Sequence, residues 1–183
     1  IWVDWGVKRM DAPSAWKQGI TGAGIVIGSP DTGVAVNHPV LKGNYRGTNA
    51  DGTQSHDYNW KDVVKELPEG GILPDGSRFD WDVDGAKNGT SKRPIDLNGH
   101  GTHTSGSAVG WSPQHLTGVA PDAKLIVSRG LGNKGGTMFD LVSAMEWFMA
   151  PTKVDGTAPR PDLAPAIVTN SWGGGALLSL IHI

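Results

Sequence analysis

At roughly 150 residues per domain, the 183 residues of this chain amount to one domain, able to bury about 70% of the surface of its unfolded chain. Glycine (27) and proline (12) are abundant enough to mark a chain rich in turns, yet 38% apolar content and 8 tryptophans exclude a disordered polymer. A formal charge of −2 gives no electrostatic footprint for nucleic acid or an anionic membrane. The absence of cysteine excludes disulfide scaffolds, thiol nucleophiles and cysteine-based zinc sites.

The chain begins at Ile1, without a basic, then apolar, then small-residue leader, and so reads as a mature or excised segment. Its apolar stretches fall short of the 18 or so residues that a membrane-spanning helix needs. The first regular element is the β-branched run Ile25 to Ile27, a central strand that no polar alternation interrupts. It leads into Asp31-Thr32-Gly33, which puts a carboxylate at a strand's carboxyl end, where α/β sites assemble. Taken alone, the same triplet reads more simply as an Asx-turn.

From Gly43 to Asn98 turn dipeptides dominate, and a long surface excursion is expected, pinned to the core by Tyr45, Tyr58, Trp60, Phe79 and Trp81. Within it, Asp80-Trp81-Asp82-Val83-Asp84-Gly85 copies the first half of a calcium loop, with carboxylates at alternate positions and glycine sixth. Asp80, Asp82 and Asp84 are therefore candidate ligands for a structural calcium, as in a calcium-dependent binding module. Position twelve is Ser91 rather than glutamate, and a solvated acidic loop is the simpler reading.

Asn98-Gly99-His100-Gly101-Thr102-His103 precedes a run of small residues. The glycines permit close backbone approach, and His100 at a helix start can offer one ring nitrogen to a pocket and the other to a carboxylate. His100 and His103 as a metal pair lack the intervening glutamate and a third ligand. A second strand follows at Leu125 to Val127. Next comes Gly130-Leu131-Gly132-Asn133-Lys134-Gly135, which fits a dinucleotide fingerprint built on Gly130, Gly132 and Gly135. Residues 137–149 place Phe139, Val142, Met145 (or Glu146) and Met149 at three- and four-residue steps, the stripe of a helix of about three turns. Ile167 to Thr169 closes a βαβ unit. The whole predicts an α/β fold, a parallel β-sheet with helices on both faces.

Asp31-Thr32-Gly33-Val34, His100-Gly101-Thr102-His103, Gly118-Val119-Ala120-Pro121-Asp122-Ala123-Lys124-Leu125 and Asn170-Ser171-Trp172-Gly173-Gly174 together resemble the subtilisin-like serine proteases, the subtilases, in the family's order. Met10-Asp11-Ala12-Pro13, His38-Pro39-Val40-Leu41-Lys42 and Tyr58-Asn59-Trp60 resemble its bacillopeptidase F-like branch. The resemblance implies a secreted serine endopeptidase that needs no cofactor, with Asp31 as triad acid and His100 as general base. It also implies a polypeptide substrate added as a strand between Lys134-Gly135-Gly136 and Ser171-Trp172-Gly173. The expected parent is a monomer that binds neither nucleic acid nor membrane.

The family's chain order places the nucleophile last. None of Ser105, Ser107, Ser112, Ser128, Ser143, Ser171 and Ser179 has the family's nucleophile setting, and the oxyanion asparagine also falls beyond the chain. Residues 1–175 are thus expected to be the N-terminal part of a catalytic domain, with its sheet incomplete at the C-terminal side and no turnover of its own. Residues 176–183, apolar at six of eight positions, are expected to be foreign to it. Pro30 removes a ladder donor just before Asp31, which puts local strand pairing in question.

Overall fold

The computed structural model describes residues 1–173; the tail at 176–183 lies outside them. In chain order β1 (Trp2–Val3), α1 (Trp5–Arg9) and α2 (Ala12–Trp16) precede β2 (Val26–Asp31) and β3 (Trp60–Asp62). They are followed by α3 (His100–Val109), β4 (His115–Leu116), β5 (Lys124–Arg129), α4 (Met138–Met149) and β6 (Ile167–Val168). β1 pairs with β4, while the other four strands make one parallel sheet in the order β3-β5-β2-β6.

Alternation along the strands gives the sheet two working faces. Ile27, Leu125 and Val127 share a core with Val109 of α3, whereas Ile126 packs with Trp147 and Phe148 of α4. Helices on both faces of a parallel sheet are the architecture the sequence predicts. Gly28 is what lets α4 lie down, since a Cβ there would sit 2.8 Å from the Phe148 ring.

Three expectations need correction. The excursion is not wholly superficial, because it contains β3, which pairs with β5 from Trp60↔Val127 to Asp62↔Arg129. Tyr45, Trp60, Leu73, Phe79 and Ile95 from the same stretch are buried, but Tyr58 is only half-buried and Trp81 is 48% exposed. A three-residue strand is too short to show a period.

The helical stripe is inverted as well. α4 buries Leu141, Ala144, Trp147 and Phe148, while Phe139 is 79% exposed and Val142, Met145 and Met149 also face outward. Both stripes are apolar, so periodicity cannot rank them; the rings of Trp147 and Phe148 cover far more surface and take the sheet.

Pro30 does not interrupt pairing with β5, where it lies opposite Ser128. The carbonyls of Val26 and Gly28 accept from Ala166 and Thr169, on the β6 side. The donor that Pro30 lacks therefore falls on that side too, beyond the last β2–β6 pair, Gly28↔Val168.

Candidate active site

Asp31 is the last residue of β2, and its side chain is 1% exposed. Its Oδ1 accepts from the Thr32 amide at 2.6 Å and from His100 Nδ1 at 2.8 Å, and its Oδ2 accepts from Thr104 Oγ1 at 3.1 Å. The local turn bond and the long-range partner therefore coexist on one carboxylate. A carboxylate oxygen accepts, so the Nδ1–H donates, and in a neutral ring the lone pair then sits on Nε2. The His100 side chain is 45% exposed, so part of the ring is open to solvent.

His100 is the first residue of α3, after Gly99 at φ +91, a left-handed conformation that favours glycine. Gly101 permits the close approach: a Cβ there would collide with the Gly33 carbonyl oxygen and lie 3.1 Å from the Asp31 Cβ. The helix start and the Asp31 turn thus meet backbone to backbone.

A second buried carboxylate, which the sequence reading missed, holds that junction. Asp96 Oδ1 accepts from Thr32 Oγ1 (2.9 Å), Asn98 N (3.1 Å) and Gly99 N (2.8 Å). Its Oδ2 accepts from Thr102 N (2.9 Å) and Thr102 Oγ1 (2.6 Å). Burial works to raise the Asp96 carboxyl, but the bonds from Thr102, Gly99 and Thr32 together hold it below the usual carboxylate value. The available signal was an acidic residue just ahead of a helical run whose cap position is glycine.

Lys134 and Gly135 lie in a tight turn closed by Gly132 and Gly135, whose amides and carbonyls bond each other at 2.7 and 3.2 Å. Gly136 follows, exposed, before the Thr137 cap of α4. The turn is tied to the helix start by Asn98 Nδ2, which donates to the Asn133 carbonyl at 3.2 Å. Ser171 and Gly173 are exposed, and between them half-buried Trp172 donates its indole N–H to the Pro30 carbonyl at 2.7 Å. Trp172 is thus tethered to the residue preceding Asp31.

Two other constellations do not assemble. The glycine loop at 130–135 already holds a carboxylate: Glu66 Oε2 accepts from Asn133 N at 2.8 Å and occupies the space a Cβ on Gly132 would need. The α4 N-terminus is closed by Thr137 and Asp140 in a capping box. A pyrophosphate has no unoccupied cradle there. In the acidic loop, Asp84 pairs with Arg93 at 2.9 Å and Asp80 Oδ1 accepts from the amide of Asp82. Among the described residues no three His, Cys, Asp or Glu side chains gather into a group that could hold a metal ion. Asp80, Asp82 and Asp84 form no such group, and the Nδ1 of His100 is committed to Asp31.

Residues 22–179 match the model of the subtilase family. The chain is 38% identical over 178 residues to bacillopeptidase F of Bacillus subtilis, covering 95% of this chain and 11% of that protein. It is 34% identical over 145 residues to the minor extracellular protease Vpr (79% of this chain, 15% of that one) and 30% identical over 133 residues to the major intracellular serine protease (72% and 32%), both of Bacillus subtilis. The chain thus spans a third or less of the length of these relatives. With its family match and its paired Asp31 and His100, this chain belongs to the subtilase family.

Proposed function

We propose that this chain carries the acid and base of a serine endopeptidase. Asp31 orients and electrostatically supports the His100 imidazole, and His100 Nε2 takes the proton of a serine hydroxyl as it attacks a peptide carbonyl, later returning it to the leaving amine. The single observation that carries the reading is the 2.8 Å bond from His100 Nδ1 to an Asp31 whose side chain is 1% exposed, with the His100 side chain itself 45% exposed. The nucleophile is supplied by none of this chain's serines, so the chain by itself turns nothing over. The substrate is a polypeptide added as a strand along the exposed segments 134–136 and 171–173. Secretion is the expected setting, supported by greater identity to the extracellular Vpr (34%) than to the intracellular protease (30%).

The test is peptide hydrolysis by the whole protein with His100→Ala and Asp31→Asn. In subtilisin itself, removing the base costs roughly 2 × 10⁶-fold in kcat and removing the acid roughly 3 × 10⁴-fold. Losses in that order are expected here. Full activity in His100→Ala, or labelling of the chain alone by a fluorophosphonate, would overturn the reading.

A further inference from the structure

We infer that Asp96, acting through Thr32, is a positioning residue that fixes the His100 ring against Asp31. The inference rests on the reading of Asp31 and His100 as an acid–base pair. α3 has lost the ordinary means of closing its N-terminus, because its cap residue Gly99 has no side chain to offer. Unsatisfied first-turn amides fray a helix start, and the first residue of this one is His100.

Four side-chain acceptors close the gap, and Asp96 is central to them. It takes the Gly99 and Thr102 amides directly. Asn98 Oδ1 accepts from the His100 amide at 3.2 Å, while Thr32 Oγ1 accepts from the Gly101 amide at 2.8 Å and donates its hydroxyl to Asp96 Oδ1 at 2.9 Å. Thr102 Oγ1 donates to Asp96 and accepts from the Ala35 amide at 2.9 Å, beyond the Asp31 turn. The Asp96 carboxylate thus holds the helix that carries the base and, through a hydroxyl, the residue next to the acid.

Threonine's hydroxyl matters because it accepts and donates at once; no apolar isostere can join the Gly101 amide to Asp96. The carboxylate also places negative charge at a helix N-terminus, where the macrodipole favours it. A displacement of about 1 Å is enough to cost 10²-fold in catalysis, and an N-terminal residue of a frayed helix can move that far.

The experiment reads the ring directly, by nitrogen-15 and proton NMR of the histidine-labelled chain, following the His100 Nδ1–H resonance, its exchange with water and the tautomer ratio. Asp31→Asn is the reference and is expected to abolish the protected Nδ1–H. Asp96→Asn turns an amide N–H₂ toward donors, and Thr32→Val deletes only the hydroxyl; each is expected to speed ring-proton exchange roughly tenfold, the scale of one charge-assisted buried hydrogen bond. Thr32→Ser restores protection. Asn44→Ala removes two side-chain bonds, to the carbonyls of Pro121 and Ala123, and is expected to lower unfolding stability without moving the ring signals.

Unchanged exchange and tautomer ratio in Thr32→Val, with Asp31→Asn effective, would overturn the positioning role and leave the acid–base pair intact. An Asp31→Asn chain with an unchanged ring would instead remove the pair itself. Should Asp96→Asn fail to fold, the Thr32→Val and Thr32→Ser pair decides alone.

Discussion

The face of the sheet under α3 and the face under α4 are built from the same four strands, yet they are closed to different depths. Among the described residues, thirteen buried apolar side chains form the cluster on the α3 side, including Trp60, Tyr45 and Leu41. On the α4 side three do so, Ile126, Trp147 and Phe148, with Val26 packed against them. The α3 face also ends in a buried row of charge, Asp31, Arg129 and Asp62, aligned across β2, β5 and β3 by their register. The more deeply packed side of the sheet is thus the side that holds the paired Asp31 and His100.

Truncation gives the largest contrast. Trp60→Ala removes a fully buried ring and its indole bond to the Ser91 carbonyl (3.0 Å), and is expected to cost about 3–5 kcal/mol. Phe148→Ala on the other face is expected to cost roughly 2–3 kcal/mol, because a thinly enclosed site relaxes around the gap. Urea unfolding compares the two; equal losses would break the distinction between the faces.

The charged row gives an effect of intermediate size. Burial pushes the Asp62 carboxyl up to about 6, against the pull of the Arg129 guanidinium 3.2 Å away. A carboxyl raised in the folded state binds its proton more readily there than in the unfolded chain. Its contribution is therefore fully present below about pH 4 and is lost as pH rises through about 6. Asp96, lowered instead, contributes stability that is present above about pH 4 and lost as pH falls below it. Asp62→Asn should flatten the stability profile between about pH 4 and 6 and leave the acid limb; Asp96→Asn should do the reverse. Denaturation midpoints across pH 3–7 check both, and identical profiles for the two variants would contradict the assignment.

The smallest effect is expected on the outward stripe of α4. Phe139→Ser changes an exposed side chain and should move stability by no more than about 0.5 kcal/mol, while reducing self-association measured by light scattering. A loss comparable to that of Phe148→Ala would show that the stripe is covered in solution.

What could be read without coordinates follows from how each feature is encoded. Asp31 and His100 stood out because Asp31-Thr32-Gly33 and His100-Gly101-Thr102-His103 resemble subtilase motifs in the family's order; Asp31-Thr32-Gly33 taken alone reads as a turn. The chosen helix stripe failed because α4 is apolar on two sides, and only the sheet decides between them. β3 was hidden because Trp60-Lys61-Asp62 carries a buried acid whose partner, Arg129, is 67 residues away. Asp96 was hidden for a related reason: its value lies in five donors from four residues, and only Asn98, Gly99 and Thr102 are close in sequence.

The bond from His100 to Asp31 closes a separation of 69 residues, and the whole excursion lies inside that loop. Loop-closure entropy grows with the logarithm of length, so doubling such a loop costs only about 0.6 kcal/mol. Residues 80–84 and 87–89 are largely exposed, while Ser91 and Ile95 beyond them are buried. The bend around 80–89 can therefore lengthen, shorten or change composition while the pair, clamped backbone to backbone at Gly33 and Gly101, stays where it is. Here the chain has room to vary its surface independently of the pair.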